Sequence, residues 1–337
     1  MQGVVKINPD NISEKDIQYC AGLIKKGELV AFPTETVYGL GASAFLPDAI
    51  KKIFQAKNRP QDNPLIVHIY DYSQLKEIVK SVPEDALRLM QAFWPGPLTF
   101  VLPKSRKVPD EVSKGLGTVA VRMPGHPVAR ALIKEAGPIV APSANLSGKP
   151  STTDSKHVIH DLHGKVACII DSGKSTLGLE STVILCTKKP FEILRLGFIT
   201  EEDLRQHVKE VVVHQDIKGE KPLSPGMKYR HYAPDAEIKV FSGPGRITRI
   251  KEFIRSSKGK KLGLVFYSEE LAKEKAHFKQ LLGKSPEEMA HSLYESLRLM
   301  DEKKVELIVF EGIDRKGLGA AIMNRIYKAA GEEDSED

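Results

Sequence analysis

The chain is punctuated by short, unbroken apolar runs: ELVAF (28–32), PLIVHIY (64–70), LTFVLPK (98–104), TVAVRMP (118–124), GPIVAPS (137–143), VACIIDS (166–172), STVILC (181–186) and FEILRLG (191–197). Runs this short, without polar alternation, read as strands buried on both faces, and such strands need helices over the sheet. Helical spacing duly appears between several of them. SEKDIQYCAGLIKKG (13–27) has a Ser cap and a closing Gly, and PDAIKKIFQAKNR (47–59) and HPVARALIKEAG (126–137) follow the same logic. Other strands succeed one another directly, so the spacing predicts an α/β domain with a mixed sheet, ending near residue 210. One run ends oddly. ELVAF leads into FPTETVYGLG (32–41), a knot of hydroxyls, one carboxylate and two glycines where a few turn residues would suffice.

At 337 residues the chain is long enough for two domains, each with its own core. Residues 215–235, QDIKGEKPLSPGMKYRHYAPD, have no periodicity and several Pro and Gly, which marks a linker or functional loop. Beyond it EIKVFSG, a helix at 247–257, KLGLVFY, a long helix at 285–303, VELIVFEGI and a last helix GLGAAIMNRIYKAAG alternate as a smaller Rossmann-like α/β domain. The predicted organisation is a first domain at 1–210, a linker or lid at 211–235 and a second domain at 236–337, with an acidic tail.

The net charge of +6 lies wholly in the first part, where residues 1–200 carry 25 Lys+Arg against 19 Asp+Glu. Such a surplus faces phosphates or nucleic acid, or is a solvated basic face. No apolar run reaches membrane-span length and MQGVVKINPD is no signal peptide, so a cytoplasmic protein without a membrane partner is expected. Cys20, Cys168 and Cys186 are far apart in sequence and odd in number, which predicts ordinary buried thiols.

Candidate chemistry is scattered along the first domain. KNRP (57–60) ends a helix with Lys57 and Arg59; cations suit a helix C-terminus, and the pair equally suits a polyphosphate. His68 sits near the end of a buried strand, either as a satisfied core residue or at a ligand site. Arg122, near the end of an apolar strand, needs an anion, either a protein carboxylate such as Glu35 or a substrate carboxylate. APSANLSGKPSTTD (141–154) puts Ser143 and Asn145 on one side of a polar loop. SGKSTLG (172–178) is no phosphate-binding P-loop, because Cys168 stands where its first Gly belongs. His157, His160 and His163 are spaced by three and lack a complete ligand set, so all three are expected on a helix surface.

FPTETVYGLG, KNRP, NPLIVHI, FWPGPLT, VAVRMPGHP, PSANLSGKPSTT and GLESTV, in this order, resemble the YrdC family; SPGMKYRHYAP followed by a Rossmann-like domain resembles its two-domain Sua-type branch. The resemblance implies a YrdC-like twisted mixed sheet with helices in the first domain. It also implies an L-threonylcarbamoyladenylate synthase, which makes threonylcarbamoyl-AMP and pyrophosphate from L-threonine, bicarbonate or CO2, and ATP with Mg2+. A downstream transferase complex would then modify the tRNA adenosine next to the anticodon. Thr34, His68, Arg122 and Ser181 would hold threonine, with Glu35, Thr36 and Tyr38 shaping the wall and Gly39 and Gly41 letting backbone approach closely. Lys57, Arg59, Thr118, Ser143, Asn145, Arg195 and Tyr232 would bind ATP, Lys57 and Arg59 neutralising the leaving group. Residues 215–235 would close over the site, with Arg230 or Tyr232 reaching the nucleotide. Two rivals are a double-stranded RNA or ribosome-maturation factor using the basic domain, against which no RNA-binding motif is present, and carbamoyl transfer in hydrogenase maturation, which needs Cys pairs absent here.

Overall fold

The computed structural model describes residues 3–214, 231–257 and 259–332. The body of the predicted lid, with Arg230, lies outside the described residues. The described residues divide into two compact units: one takes 3–147, 151–176 and 180–214, the other 148–150, 177–179 and the residues from 231 on. Among the described residues, no helix is long and apolar enough to cross a membrane.

The first unit is organised by an eleven-stranded sheet. Its strands are β1 (Gly3–Lys6), β2 (Val30–Phe32), β3 (Gly39–Ser43), β4 (Ile66–His68), β5 (Leu98–Pro103), β6 (Thr118–Arg122), β7 (Ile139–Val140), β8 (Cys168–Asp171), β9 (Thr182–Leu185), β10 (Phe191–Arg195) and β11 (Val211–Val213). They lie in the order β1-β8-β2-β3-β7-β4-β6-β5-β9-β10-β11. The sheet is mixed: β4 runs parallel to β6, whereas β5 is antiparallel to β6 and parallel to β9.

Register places the candidate residues. His68 pairs with Arg122, Arg122 with Thr99, and Thr99 with Val183, which puts these side chains in one row on one face. Two residues back along the strands lie Ile66, Ala120, Val101 and Leu185, part of a small apolar cluster on that same face. The intervening residues Val67, Val121, Phe100 and Ile184 point the other way into the largest core cluster. One polar row therefore borders an apolar floor.

FPTETVYGLG is only partly a loop. Its end is β3, antiparallel to β2 with Phe32 opposite Gly39 and Val30 opposite Gly41. A Cβ on Gly41 would lie 2.8 Å from the Phe32 ring and 3.0 Å from Ile139; on Gly39 it would lie 3.2 Å from Phe32 and Ala141. These glycines make room for a buried aromatic ring. The close approach at Gly41 includes backbone, the Val30 carbonyl oxygen lying 3.1 Å from where a Cβ would stand.

Two side-chain expectations change. His157 is buried in the helix Ser155–Leu162, not on its surface, while His160 is exposed as expected. Cys20 and Cys168, distant in sequence, meet in the core with their sulfurs 3.8 Å apart.

The second unit has a four-stranded parallel sheet of β12 (Glu237–Phe241), β13 (Leu262–Phe266), β14 (Phe278–Leu281) and β15 (Leu307–Glu311), in the order β12-β15-β13-β14. Helices Arg246–Ser256, Pro286–Glu302 and Leu318–Ala330 accompany it. The sequence pattern does not predict β14: FKQL is short and alternates in burial, a weak signal between two stronger ones. Tyr232 lies in this unit, its ring stacked on Tyr294 at 5.5 Å with the Arg325 guanidinium 5.4 Å from its centroid. At 7% exposure the ring is core.

Candidate active site

The hydroxyls of FPTETVYGLG form a directed chain. Arg122 Nη1 donates to Thr36 Oγ1 at 2.9 Å, Thr36 and Thr34 share a hydrogen bond at 2.8 Å, and Thr34 Oγ1 donates to the Val37 carbonyl at 2.6 Å. Each hydroxyl has a single proton, so Thr34, having given its own to Val37, accepts from Thr36. It also accepts from the backbone N–H groups of Thr36 and Val37 at 3.2 and 3.3 Å. Thr34 therefore braces the loop with its hydroxyl. This bracing is why the strand ends in hydroxyls rather than in an ordinary turn.

Arg122 stands at the centre. Its Nε donates to the Gly96 carbonyl at 3.1 Å and its Nη2 lies 2.7 Å from Glu35 Oε1. Glu35 Oε1 also accepts from the Gly125 N–H at 3.0 Å. Burial alone would raise the Glu35 carboxyl, but the Arg122 charge and the Gly125 N–H outweigh it and hold it below the usual carboxylate range. Of the two partners open to Arg122 from sequence, Glu35 is the one this structure pairs with it. Its Nε and one Nη1 N–H are hydrogen-bonded, to Gly96 and Thr36, while Nη2 meets Glu35 as an ion pair and has no hydrogen-bond partner among the described residues. Glu35 Oε2 and His68 Nδ1 are buried with no hydrogen-bond partner among the described residues.

His68 lies beside Arg122, its ring edge-on to Phe32 at 6.3 Å. Burial, then the Arg122 charge, pushes its pKa down to about 3, so the imidazole is neutral at physiological pH. The unfolded chain binds a proton at this residue below about pH 6.5 and the folded chain does not until near pH 3, so stability falls as pH drops through that window. The first unit is expected to be about 2 kcal/mol less stable at pH 5 than at pH 7 on account of His68. Denaturant unfolding of wild type and His68→Gln at the two pH values checks this; an unchanged difference in the variant contradicts it.

Ser181 and Arg195 form a second cluster on the same face. Ser181 Oγ bonds Thr99 Oγ1 at 2.7 Å, while Arg195 donates to the Ser181 carbonyl from Nε at 3.1 Å and from Nη2 at 2.9 Å, and to its hydroxyl at 3.1 Å. Thr99 was missed in the sequence. Its signal was a polar residue inside the apolar run LTFVLPK.

Lys57, Ser143 and Asn145 form a third group. Asn58 takes a left-handed conformation, φ 51°, and caps the helix Pro47–Lys57, which explains the Asn of KNRP. Lys57, 1% exposed, donates to the Ser143 carbonyl at 2.6 Å and to the Asn145 carbonyl, and the Ser147 N–H returns to the Lys57 carbonyl at 2.9 Å. The ammonium thus pins the 143–147 loop to the helix end. Arg59, half-buried, donates to the Pro64 carbonyl at 3.4 Å. The loop is tied to its neighbour as well, Ala144 N–H bonding the Tyr38 carbonyl and Tyr38 N–H the Thr152 carbonyl, both at 2.8 Å. Thr118 starts the strand that Arg122 ends, about 13 Å away along β6. Of the predicted residues, only Tyr232 is packed in the second unit's core.

Two family models cover almost the whole chain: Sua5/YciO/YrdC, described as "Telomere recombination", over residues 22–197, and "Threonylcarbamoyl-AMP synthase, C-terminal domain" over residues 199–331. The threonylcarbamoyl-AMP synthase of Pyrococcus abyssi is 48% identical over 330 residues, 96% of each chain. This chain belongs to the Sua5 family. The threonylcarbamoyl-AMP synthase of Bacillus subtilis, a second family member, is 47% identical over 331 residues, 96% of this chain and 95% of that one. The structure of P. abyssi Sua5 complexed with L-threonine superposes with a TM-score of 0.91 at 46% identity, covering 98% of both chains.

Proposed function

We infer that this member of the Sua5 family is a threonylcarbamoyl-AMP synthase, an ATP-using transferase serving tRNA modification: it joins L-threonine, bicarbonate or CO2, and ATP into threonylcarbamoyl-AMP and pyrophosphate. Near-full-length identity to two synthases supports the reaction. The observation that carries the reading at the site is the buried Arg122–Glu35 pair beside a neutral His68. Threonine arrives as a zwitterion, and this pair offers one charge of each sign without adding a net charge to the pocket. The Arg122 N–H groups not hydrogen-bonded to Gly96 and Thr36 suit the substrate carboxylate, and Glu35 Oε2 and His68 Nδ1 suit its amine and hydroxyl.

Once its ammonium has lost a proton, the amine attacks CO2, or bicarbonate with loss of water, to form a carbamate, whose oxygen displaces pyrophosphate at the α-phosphorus. No protein nucleophile is required, and holding the short-lived carbamate close to the nucleotide is the main contribution. Arg195, braced on Ser181, and Thr118 border the apolar floor on which the nucleotide would lie. Arg59 and the loop pinned by Lys57 would receive the triphosphate. A hydroxyl and an amide, Ser143 and Asn145, without a carboxylate between them, suit an Mg2+ ion that arrives on the triphosphate; the ion would neutralise charge on the departing phosphates. A separate transferase complex would take the product to the tRNA adenosine next to the anticodon.

The test is rapid-quench mass spectrometry of the full chain with ATP, Mg2+, bicarbonate and L-threonine. Threonylcarbamoyl-AMP that needs all of these components is the expected result. Pyrophosphate release without it, or no turnover by folded, ATP-binding protein, contradicts the reading.

A further inference from the structure

Lys114 is used by none of the contacts above. It caps the short helix Asp110–Ser113 at φ 56°, a left-handed conformation uncommon for lysine, although glycine follows it in the chain. Its ammonium rests 3.6 Å from the centroid of the Phe54 ring. Among the described residues it makes no ion pair or side-chain hydrogen bond. Glu111, Asp62 and Arg59 are the charged groups that act on it, and burial together with the like charge of Arg59 outweighs the two carboxylates and lowers its pKa. The ammonium has no carboxylate in ion-pair contact among the described residues.

Its position relates it to the phosphate candidates. Phe54 lies one turn before Lys57, and the Phe54 carbonyl accepts the Arg59 N–H at 2.9 Å. The segment after Arg59 is tied to Lys114's own helix by the Leu65 N–H to the Val112 carbonyl at 3.0 Å. Four residues beyond Lys114 the chain enters β6 at Thr118, past Gly115 and Gly117, around which a Cβ would meet nothing within 4 Å. A cleft of about 260 Å³ opens here, lined by Lys51, Phe54, Gln55, Gln61, Glu111 and Lys114.

We propose that Lys114, with Arg59, binds the diphosphate end of the reaction, taking the pyrophosphate as it leaves. This rests on the synthase reading. When the carbamate oxygen forms its bond to the α-phosphorus, the bond from that phosphorus to the bridging oxygen breaks and its electron pair goes to pyrophosphate. The leaving group gains charge at that moment, and a cation short of a counter-ion favours it.

Calorimetric titration of the full chain with inorganic pyrophosphate and Mg2+ tests this without turnover, comparing wild type with Lys114→Gly and Lys114→Arg. Glycine is relaxed at this φ, so K114G should stay folded with a melting temperature within a few degrees of wild type. Pyrophosphate should bind K114G roughly tenfold more weakly, as loss of one charged contact predicts, and K114R nearly as well as wild type. In steady state the KM for ATP should rise in K114G while that for threonine stays unchanged. Equal pyrophosphate binding by wild type and K114G, or none by wild type, overturns the proposal. Absence of threonylcarbamoyl-AMP alongside a K114G binding defect would instead count against the synthase reading alone.

Discussion

Arg122→Ala is expected to abolish threonine-dependent product formation and to destabilise the first unit by about 3–5 kcal/mol, the usual consequence of removing one member of a buried ion pair. Arg122 is 3% exposed and its guanidinium ties together two separate stretches of chain, holding the Gly96 carbonyl on one and the Thr36 hydroxyl and Glu35 carboxylate on the other. Without it Glu35 keeps the Gly125 N–H, too little to offset burial, and its pKa rises into or above the ordinary carboxylate range. Thr36 loses the donor at the head of the hydroxyl chain, so the Thr34 turn loosens too. Arg122→Lys separates the roles: an ammonium can meet Glu35 but not all three partners, so most stability should return while activity stays low. Calorimetry and product mass spectrometry at saturating threonine give the two readings. A stable, active alanine variant would remove Arg122 from the site.

Gly197→Ala should be nearly as damaging for a different reason. A Cβ there would lie 2.4 Å from the Thr182 nitrogen and 2.6 Å from both the Glu180 oxygen and the Ser181 carbonyl carbon. These are backbone atoms, with no flexible side chain to swing aside. The 180–182 strand start must move, straining the Thr182 N–H bond to the Pro97 carbonyl, 3.0 Å long, and the Arg195 bonds to Ser181. A loss of about 3 kcal/mol, the upper end for overpacking, is expected together with at least tenfold lower activity. Gly117→Ala, at a position with nothing within 4 Å, serves as the control and should fall within about 0.5 kcal/mol of wild type. Unfolding midpoints and turnover of the two variants check the contrast, and equal behaviour would contradict the packing argument.

Thr99 and Lys114 show where reading the sequence ran short. Thr99 matters because register sets it between Arg122 and Val183, and register is a property of strand pairing that no local pattern states. Lys114 resembles any surface lysine until Phe54 is placed beneath it. Gly39 and Gly41 were visible as unusual, but their reason, the ring of Phe32, became apparent only once β2 and β3 were paired.

Most strands, most helices and the α/β class follow from the sequence alone, because apolar runs bounded by turn residues and helices with caps are local statements about burial and backbone geometry. So do the identities of Arg122, His68 and Lys57 as residues needing an explanation, since charge or imidazole in an apolar context must find a partner. Which partner each finds was decided by the tertiary structure: Glu35 for Arg122, backbone carbonyls for Lys57, and for Tyr232 a place in the second unit's core. Partner choice depends on distances between segments far apart in the chain, and those distances exist only once the sheet has set its order and register.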